Sequence, residues 1–101
     1  MKIITVCGSY RFQKEMKEIT ERLALQGNCM ITPIELTQPS KDAYSEKERA
    51  LLAKMHRKKI DLADAILVVN VGGYIGTSTK IEIEYAESQQ KEILYYTDWI
   101  L

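Results

Sequence analysis

The sequence predicts a doubly wound α/β domain in which helices cover both faces of a parallel sheet of about four strands. Short, β-rich apolar runs alternate along the 101 residues with segments whose apolar residues recur every three or four positions. The chain is long enough for one domain but not for two, and a hydrophobic content of 46% can supply a sizeable core. We therefore interpret residues 1–101 as a single domain.

The first half of the chain predicts two strands with a helix between them. Residues 2–7 (KIITVC) are β-rich and end at a Gly-Ser pair, which predicts strand 1. Residues 12–26 carry apolar side chains at helical spacing and end before a Gly-Asn pair, a typical helix stop, so they predict helix 1. Residues 29–32 predict strand 2, which Pro33 ends.

A polar loop over residues 35–43 leads to the predicted helix 2. Ser45 is expected to cap this helix, because Glu48 follows three residues later at the spacing of a capping box. The helix is expected to run to about Leu62. Four of its apolar side chains are expected to face inward, namely Leu51, Leu52, Met55 and Ile60.

The last third of the chain predicts two strands and a helix. Residues 65–71 (AILVVNV) are almost all apolar, which is typical of a strand buried on both faces, and predict strand 3. After a glycine-rich turn, residues 77–79 (TST) are expected to cap helix 3, from about residue 80 to residue 90. Residues 92–96 (EILYY) predict strand 4, and the DWIL tail predicts no defined element.

The order of these elements predicts where a ligand binds. Strands joined by helical crossovers lie parallel, and the crossovers are right-handed, which favours the strand order 2-1-3-4 of a flavodoxin-like or Rossmann-like domain. Such sheets bind ligands beyond the carboxyl ends of their strands, where the strand order reverses. Residues 8–11, 33–43 and 70–82 lie there. The sequence therefore predicts a nucleotide-type pocket between strands 1 and 3.

Composition argues against several classes of function. The 14 Lys and Arg residues balance 14 Asp and Glu residues, so neither nucleic acid nor an anionic membrane is an expected partner. No apolar run reaches the ~20 residues that span a bilayer. The N-terminal apolar stretch is too short for a signal peptide, so we expect a cytoplasmic protein with reduced cysteines. With one histidine and no Cys-x-x-Cys spacing, the sequence predicts no zinc site.

Two loops at the predicted pocket could hold a ligand. Gly8-Ser9-Tyr10-Arg11 follows strand 1, where glycine permits close backbone approach and an arginine offers a fork suited to phosphate. The alternative is a plain turn with an exposed arginine. Residues 72–79 contain three glycines and three Ser or Thr residues, and are expected to close over a sugar or phosphate. The alternative there is a flexible turn followed by a helix cap.

Two ionisable residues are candidates for catalysis. Glu82 lies near the start of helix 3, whose N-terminus favours the ionised form that a nucleophile needs. The alternative is a glutamate that only complements the helix dipole. His56 lies in the middle of helix 2, about 12 Å along the helix from the base of the sheet, and could face the pocket. Its ordinary pKa near neutrality would let it act as a general acid, and the alternative is a surface histidine in the basic stretch KMHRKK.

Three segments carry a more specific pattern, namely residues 7–12 (CGSYRF), 63–70 (ADAILVVN) and 76–86 (GTSTKIEIEYA). Together they resemble the nucleoside 2-deoxyribosyltransferase superfamily, which includes the 2'-deoxynucleoside 5'-monophosphate N-glycosidases. The third segment is the most specific, because the family pattern is a Gly/Ser/Thr loop, a glutamate, an aliphatic residue, usually a glycine, an aromatic residue and an alanine. The resemblance covers nearly the whole chain.

The resemblance implies an enzyme that cleaves or transfers the N-glycosidic bond of a (deoxy)nucleoside or its 5'-monophosphate. The nucleophile of the family falls on Glu82, which would attack the anomeric carbon and form a covalent deoxyribosyl-enzyme. Water then completes a hydrolase cycle, or a second base completes a transferase cycle. The resemblance implies no metal and no cofactor. It favours a homodimer, for which an exposed sheet edge and the apolar tail are the expected contacts.

The resemblance also assigns residues to substrate binding, namely Gly8, Ser9, Tyr10, Arg11, Asn70, Gly76, Thr77 and Ser78. The Gly-Ser-x-Arg segment and Ser78 match or nearly match positions that hold the 5'-phosphate in the monophosphate glycosidases. Thr5 and His56 stand where the family usually has a tyrosine and an aspartate. These two departures favour an alternative, a non-catalytic module that binds a nucleotide on the same scaffold, whereas the retained Glu82 favours an enzyme. An unrelated flavodoxin-like module is a further alternative.

Overall fold

The computed structural model of the chain describes residues 1–99, and Ile100 and Leu101 of the apolar tail lie outside the described residues. The strands are β1 (Ile3–Gly8), β2 (Cys29–Ile31), β3 (Ala65–Val69) and β4 (Glu92–Tyr95). The helices are α1 (Gln13–Leu25), α2 (Glu46–Leu62) and α3 (Thr77–Ser88). All four strands lie parallel in the order β2-β1-β3-β4. The predicted fold class and strand order are confirmed.

The centre of the sheet is β3, whose five residues are all buried. Its neighbour β1 alternates in the direction of its side chains, as strands do. On one face, Ile4 and Val6 pack with the buried side of α1. On the other face, Cys7 packs with Ile60 of α2 and Ala86 of α3. Each fully buried aliphatic side chain of this kind contributes about 2 kcal/mol to stability, so the two layers hold the helices firmly against the sheet.

The capping box predicted for α2 is confirmed. The Ser45 hydroxyl accepts a hydrogen bond from the backbone N–H of Glu48 at 3.1 Å, and the Glu48 carboxylate accepts one from the backbone N–H of Ser45 at 2.8 Å. Two N–H groups at the start of the helix are thereby satisfied. The box fixes where α2 begins, immediately after the loop that borders the predicted pocket.

The inward-facing side of α2 was predicted only in part. Ile60 is fully buried, as expected, but Leu51 and Met55 are 53% and 41% exposed. The prediction for these two residues is wrong, because only the last turns of α2 pack on the sheet. The earlier turns stand beside an open cleft, which Leu52 and Met55 line.

The start of α3 also differs from the prediction. Gly76 is the N-cap, with extended φ and ψ of −77° and 171°, and residues 77–79 form the first turn of the helix instead of its cap. Glu82 is consequently the sixth residue of α3 and lies in its second turn. On the preceding strand, β3 ends at Val69, two residues before the predicted end, where the chain enters a 3₁₀ turn over Val71–Gly73.

No helix among residues 1–99 is both long enough and apolar enough to cross a membrane.

Candidate functional site

A cleft of about 270 Å³ opens beyond the carboxyl ends of β1 and β2, between α2 and the start of α3. Its size is close to the lower limit of ligand pockets, roughly 300 Å³. The strand order reverses between β1 and β3, so the cleft lies next to the predicted position, on the β2 side, and no residue of β3 lines it. The basic and acidic side chains that line it are Lys41, Arg49, His56, Lys59 and Glu82.

At this cleft three side chains from three elements meet, and we call them the Cys–His–Glu cluster: Cys7 of β1, His56 of α2 and Glu82 of α3. The Sγ atom of Cys7 lies 3.2 Å from Nε2 of His56, and the same Nε2 lies 3.5 Å from Oε2 of Glu82. The three donor atoms all lie within 4.8 Å of one another. Cys7 is fully buried, and the side chains of His56 and Glu82 are 11% and 23% exposed.

A buried hydrogen bond sets the position of His56. The Thr5 hydroxyl donates to the carbonyl oxygen of Lys59 at 2.8 Å. This carbonyl belongs to the last turn of α2, where carbonyl groups have no partner within the helix. Thr5 lies two residues before Cys7 and therefore on the same face of β1, and Lys59 follows His56 by three residues, about one helical turn. The bond that joins α2 to β1 thereby brings His56 beside Cys7.

The position of Glu82 follows from the packing of α3. Ala86 is fully buried against the sheet, and Glu82 lies four residues before it on the same side of the helix. Glu82 is therefore directed toward the sheet instead of into solvent. The exposed Glu84, two residues further along, lies on the opposite side of the helix.

Burial raises the pKa of Glu82 to about 7, although the charge of Lys41 and a hydrogen bond from Cys7 act in the opposite direction. The expectation that the helix N-terminus keeps this carboxyl ionised is wrong. The dipole effect is confined to the first turn, and Glu82 is in the second, so desolvation dominates. The carboxyl therefore loses its proton at a much higher pH than an exposed glutamate does.

The pKa of His56 moves the other way, to about 4, because of burial and then the positive charges of Lys59 and Lys41. The imidazole is neutral at pH 7, and the expectation that His56 titrates near neutrality is wrong. Its contact with Glu82 is therefore not an ion pair at neutral pH. In one tautomer of the neutral ring Nε2 is a donor, and in the other it is an acceptor.

Burial, followed by the charge of Glu82 and a hydrogen bond to it, raises the pKa of Cys7 well above the usual value for a thiol. The thiol is therefore protonated and a poor nucleophile. Its partners also differ from those of a nucleophile–histidine–carboxylate relay, which uses both ring nitrogens of the histidine. Here Cys7 and Glu82 face the same nitrogen of His56. The cluster is not arranged for acyl transfer through Cys7.

Of the ten residues that the sequence analysis assigned to the site, five line the cleft, namely Gly8, Tyr10, His56, Ser78 and Glu82. The other five do not line it, namely Ser9, Arg11, Asn70, Gly76 and Thr77.

Arg11 and Ser9 make local contacts instead. The guanidinium carbon of Arg11 lies 4.2 Å from the centre of the Tyr74 ring, a cation–π contact. The Ser9 hydroxyl accepts a weak hydrogen bond from the backbone N–H of Arg11 at 3.4 Å and caps the short 3₁₀ turn Tyr10–Phe12. The arginine fork expected to hold phosphate is therefore turned away from the cleft.

Asn70 has a structural partner in Thr97. Its amide oxygen accepts a hydrogen bond from the Thr97 backbone N–H at 3.2 Å, and its amide nitrogen donates to the Thr97 hydroxyl at 3.3 Å. This pair ties the end of β3 to the 3₁₀ turn Tyr96–Asp98. Gly76 is the N-cap of α3 and Thr77 is its first residue, and neither lines the cleft.

Three basic residues of the cleft were not singled out from the sequence. Lys59 donates from Nζ to the Thr32 carbonyl oxygen at 2.7 Å, and Arg49 lies 3.9 Å from the Asp42 carboxylate. Lys41 makes no ion pair with the residues that the structure describes. The one signal available was the position of the loop over residues 33–43 at the reversal of strand order. The cleft combines a buried carboxyl with cations and therefore suits a ligand that carries an anionic group.

The Cys–His–Glu cluster also offers the donor atoms of a metal site. The sequence analysis predicted no zinc partners for His56, because the ligands are not arranged at a recognisable spacing. Cys7 lies 49 residues before His56, and only the parallel sheet brings the two together.

The fold and the cleft define a class of protein, a small parallel α/β domain with a ligand-sized site at the carboxyl ends of its strands. A comparison with known protein families finds no match, and a comparison with curated proteins finds none either. The family resemblance described for the three sequence segments remains a prediction.

Proposed function

We propose that this protein is an enzyme that cleaves or transfers the N-glycosidic bond of a (deoxy)nucleoside or its 5'-monophosphate, with Glu82 as the nucleophile. The observation that carries the proposal is the position of Glu82, a largely buried carboxyl at a ligand-sized cleft. The resemblance of residues 76–86 to the nucleophile segment of the deoxyribosyltransferases supports the same role.

In the proposed first step, a carboxylate oxygen of Glu82 bonds to the anomeric carbon while the bond from that carbon to the base nitrogen breaks. The bonding electrons leave with the base, and the sugar passes through an oxocarbenium-like transition state. A poorly hydrated carboxylate stabilises this cation more than an exposed one does, because the local dielectric constant is low. Water or a second base then attacks the same carbon and releases Glu82.

His56 has a different role from the one predicted from the sequence. Since its imidazole is neutral at pH 7, it does not supply an imidazolium proton to the leaving base. We assign it instead to positioning Glu82, whose carboxylate it faces at 3.5 Å. The released base takes its proton from a solvent water molecule in the open cleft.

The cations of the cleft support a substrate with an anionic group. Lys41 and Arg49 line the same cleft as Glu82, and they come from the loop before α2 and from α2 itself. Ser78 lines it from the first turn of α3, where free backbone N–H groups favour anions. These three groups are the candidates for holding a 5'-phosphate while Glu82 meets the anomeric carbon.

A second candidate is a nucleotide-binding module without turnover. The observation that favours it is the protonation of the cluster, in which both the imidazole of His56 and the thiol of Cys7 are neutral at pH 7. With its acids unsuited to activating a leaving base, the same cleft would bind a nucleotide and release it unchanged.

The test is base release from a panel of nucleosides, deoxynucleosides and their monophosphates, followed by chromatography in the presence of a chelator. The parent and Glu84→Gln, a matched change of an exposed glutamate on the same helix, are expected to release base. Glu82→Gln is expected to lose activity by about a thousandfold or more. Equal release by Glu82→Gln would contradict the nucleophile. Absence of release from every substrate, with a thermal shift for one of them, would support the binding module.

The proposal includes a cytoplasmic homodimer. Exposed apolar side chains beside the cleft, among them Ile34, Leu51 and Met55, support association with a second copy. Both cysteines are free thiols, as a reducing compartment maintains them. Sedimentation equilibrium at micromolar concentration is expected to give twice the chain mass, and a monomer throughout would contradict the dimer.

A further inference from the structure

The Cys–His–Glu cluster combines three kinds of metal ligand. A thiol sulfur, an imidazole nitrogen and a carboxyl oxygen are the three donors that Zn²⁺ takes from proteins. They come from β1, α2 and α3, which the packed sheet holds at fixed positions. Three protein ligands at the edge of a cleft, with a fourth position open to water, are the usual arrangement of an accessible zinc ion.

The distances between the donors match tetrahedral coordination. Zn–S and Zn–N bonds of about 2.3 and 2.0 Å place sulfur and nitrogen about 3.5 Å apart, and a nitrogen–oxygen pair about 3.3 Å apart. The Cys7 Sγ–His56 Nε2 distance is 3.2 Å, and the His56 Nε2–Glu82 Oε2 distance is 3.5 Å. Movements of a few tenths of an ångström would bring these two distances to the tetrahedral values, and the third pair, Cys7 Sγ and the Glu82 carboxylate oxygen, lies within 4.8 Å.

The convergence on one nitrogen supports a metal over a proton relay. Nε2 of His56 faces both Cys7 and Glu82, and a single hydrogen on this nitrogen, or a single lone pair, cannot serve both well. A cation placed among the three atoms satisfies all of them at once.

We propose that Cys7, His56 and Glu82 bind one thiophilic divalent cation, with Zn²⁺ as the best match. On binding, the Cys7 thiol gives up its proton, and so does any Glu82 that is protonated, and these protons pass to the buffer. Zn²⁺ with one thiolate and one carboxylate has no net charge, so the loaded cluster is neutral in its buried setting. Lys41 and Lys59 oppose the cation and reduce its affinity.

The site has a consequence for the proposed reaction. A bound Zn²⁺ takes up one oxygen of Glu82 and draws charge from the whole carboxylate, so the metal and the sugar compete for the same side chain. Zinc would inhibit base release at one ion per chain, and the apparent affinity for zinc would fall as the substrate concentration rises. This inhibition rests on the proposed function, whereas the metal site does not.

The test is calorimetric titration of the untagged, metal-stripped and reduced chain with ZnCl₂ at pH 7.5. The chain has one histidine and two cysteines, so few competing ligands exist. One ion per chain is expected. Cys7→Ser, His56→Gln and Glu82→Gln are each expected to weaken binding at least about tenfold. Cys29→Ser and Glu84→Gln, matched changes at exposed positions, are expected to bind as the parent does.

Cobalt provides a second readout that does not depend on the folding of a variant. Co²⁺ bound to the parent is expected to show a thiolate-to-cobalt charge-transfer band, which Cys29→Ser retains and Cys7→Ser loses. The absence of this band in the parent, or zinc affinity unchanged in a folded Cys7→Ser, would overturn the site. Base release is assayed separately with chelator, so zinc binding without base release would reject the proposed function alone. Base release that stoichiometric zinc does not affect would reject the site as placed.

Discussion

His56 and Glu82 lie 3.5 Å apart, yet they do not form an ion pair at neutral pH. Burial lowers the pKa of His56 to about 4 and raises the pKa of Glu82 to about 7. The imidazole has therefore lost its proton before the carboxyl gives up its own. The two residues consequently make the free energy of unfolding depend on pH in opposite directions.

The pKa of Glu82 is 4.5 in the unfolded chain and about 7 in the folded protein. Between these two pH values the folded state holds an extra proton, so stability falls as pH rises. The pKa of His56 is 6.5 in the unfolded chain and about 4 in the folded protein. Between these two pH values the unfolded state holds the extra proton, so stability falls as pH falls. Each effect is on the order of 3 kcal/mol, and in the parent the two largely cancel between pH 4.5 and 6.5. Cys7, Lys41 and Lys59 also face the pair and are unchanged in the variants below.

Replacing either residue should reveal how the other makes the free energy of unfolding depend on pH. Glu82→Gln is expected to gain stability as pH rises from about 4 to 6.5, and His56→Gln to lose stability as pH rises from 4.5 to about 7. Urea unfolding with chelator measures both slopes, and Glu84→Gln should follow the parent. Slopes of the same sign in the two variants would refute the opposed pKa shifts.

Thr5→Val is expected to destabilise the protein by about 1 kcal/mol, because it removes the hydrogen bond to Lys59 and leaves a helix carbonyl without that partner. Thr20→Val is the matched control. Its buried hydroxyl has no hydrogen-bond partner among the described residues, so the same change should be neutral or stabilising. Denaturant midpoints measure both, and a larger loss for Thr20→Val would show that Thr5 does not hold α2 in place.

Adding a side chain at either of two glycines at the edges of the site should change stability, and in opposite directions. A Cβ on Gly8 would lie 3.2 Å from the Val69 Cβ and 3.3 Å from the Met16 sulfur, so Gly8→Ala is expected to cost about 1–3 kcal/mol. Gly76 caps α3 in an extended conformation without a side-chain hydrogen bond, so Gly76→Ser should gain a few tenths of a kcal/mol. Thermal unfolding distinguishes the two, and a stabilised Gly8→Ala would contradict the close packing of β1 on β3.

Lys41→Gln tests which cation meets an anionic ligand. It is expected to weaken binding of a nucleoside 5'-monophosphate about tenfold while changing nucleoside binding little, because it removes a charged partner for phosphate. Arg11→Gln should change neither, since Arg11 stacks on Tyr74 outside the cleft. Calorimetry with both ligands measures this difference. A phosphate-specific loss in Arg11→Gln instead would restore the role that the sequence predicts for that residue.

The fold could be predicted because its signals are local. The continuous apolar run of β3 and the capping box of Ser45 each depend on residues close together in the sequence. The start of α3 was predicted too late because Ser and Thr are found both at the N-cap and in the first turn of helices. In the structure Gly76 is the N-cap, and the three hydroxyl residues form the first turn.

The site could be predicted only in part, since its chemistry depends on contacts made across the sheet. Glu82 and His56 were found from position, but their pKa values depend on burial, which the sequence does not reveal. Cys7 was assigned to a strand and given no partner. Asn70 was placed in the pocket by the family resemblance, and its pairing with Thr97 could not be foreseen because the two residues are 27 positions apart.

The strand order also has a consequence for synthesis and folding. β1 lies between β2 and β3, and its register joins Ile4 to Ala65. While the chain leaves the ribosome, the β1–α1–β2 unit is complete long before β3 emerges, and one edge of β1 meanwhile has unpaired backbone groups. Glu82 emerges later still, so an interrupted chain exposes an unpaired strand edge to chaperones and proteases before the Cys–His–Glu cluster can form.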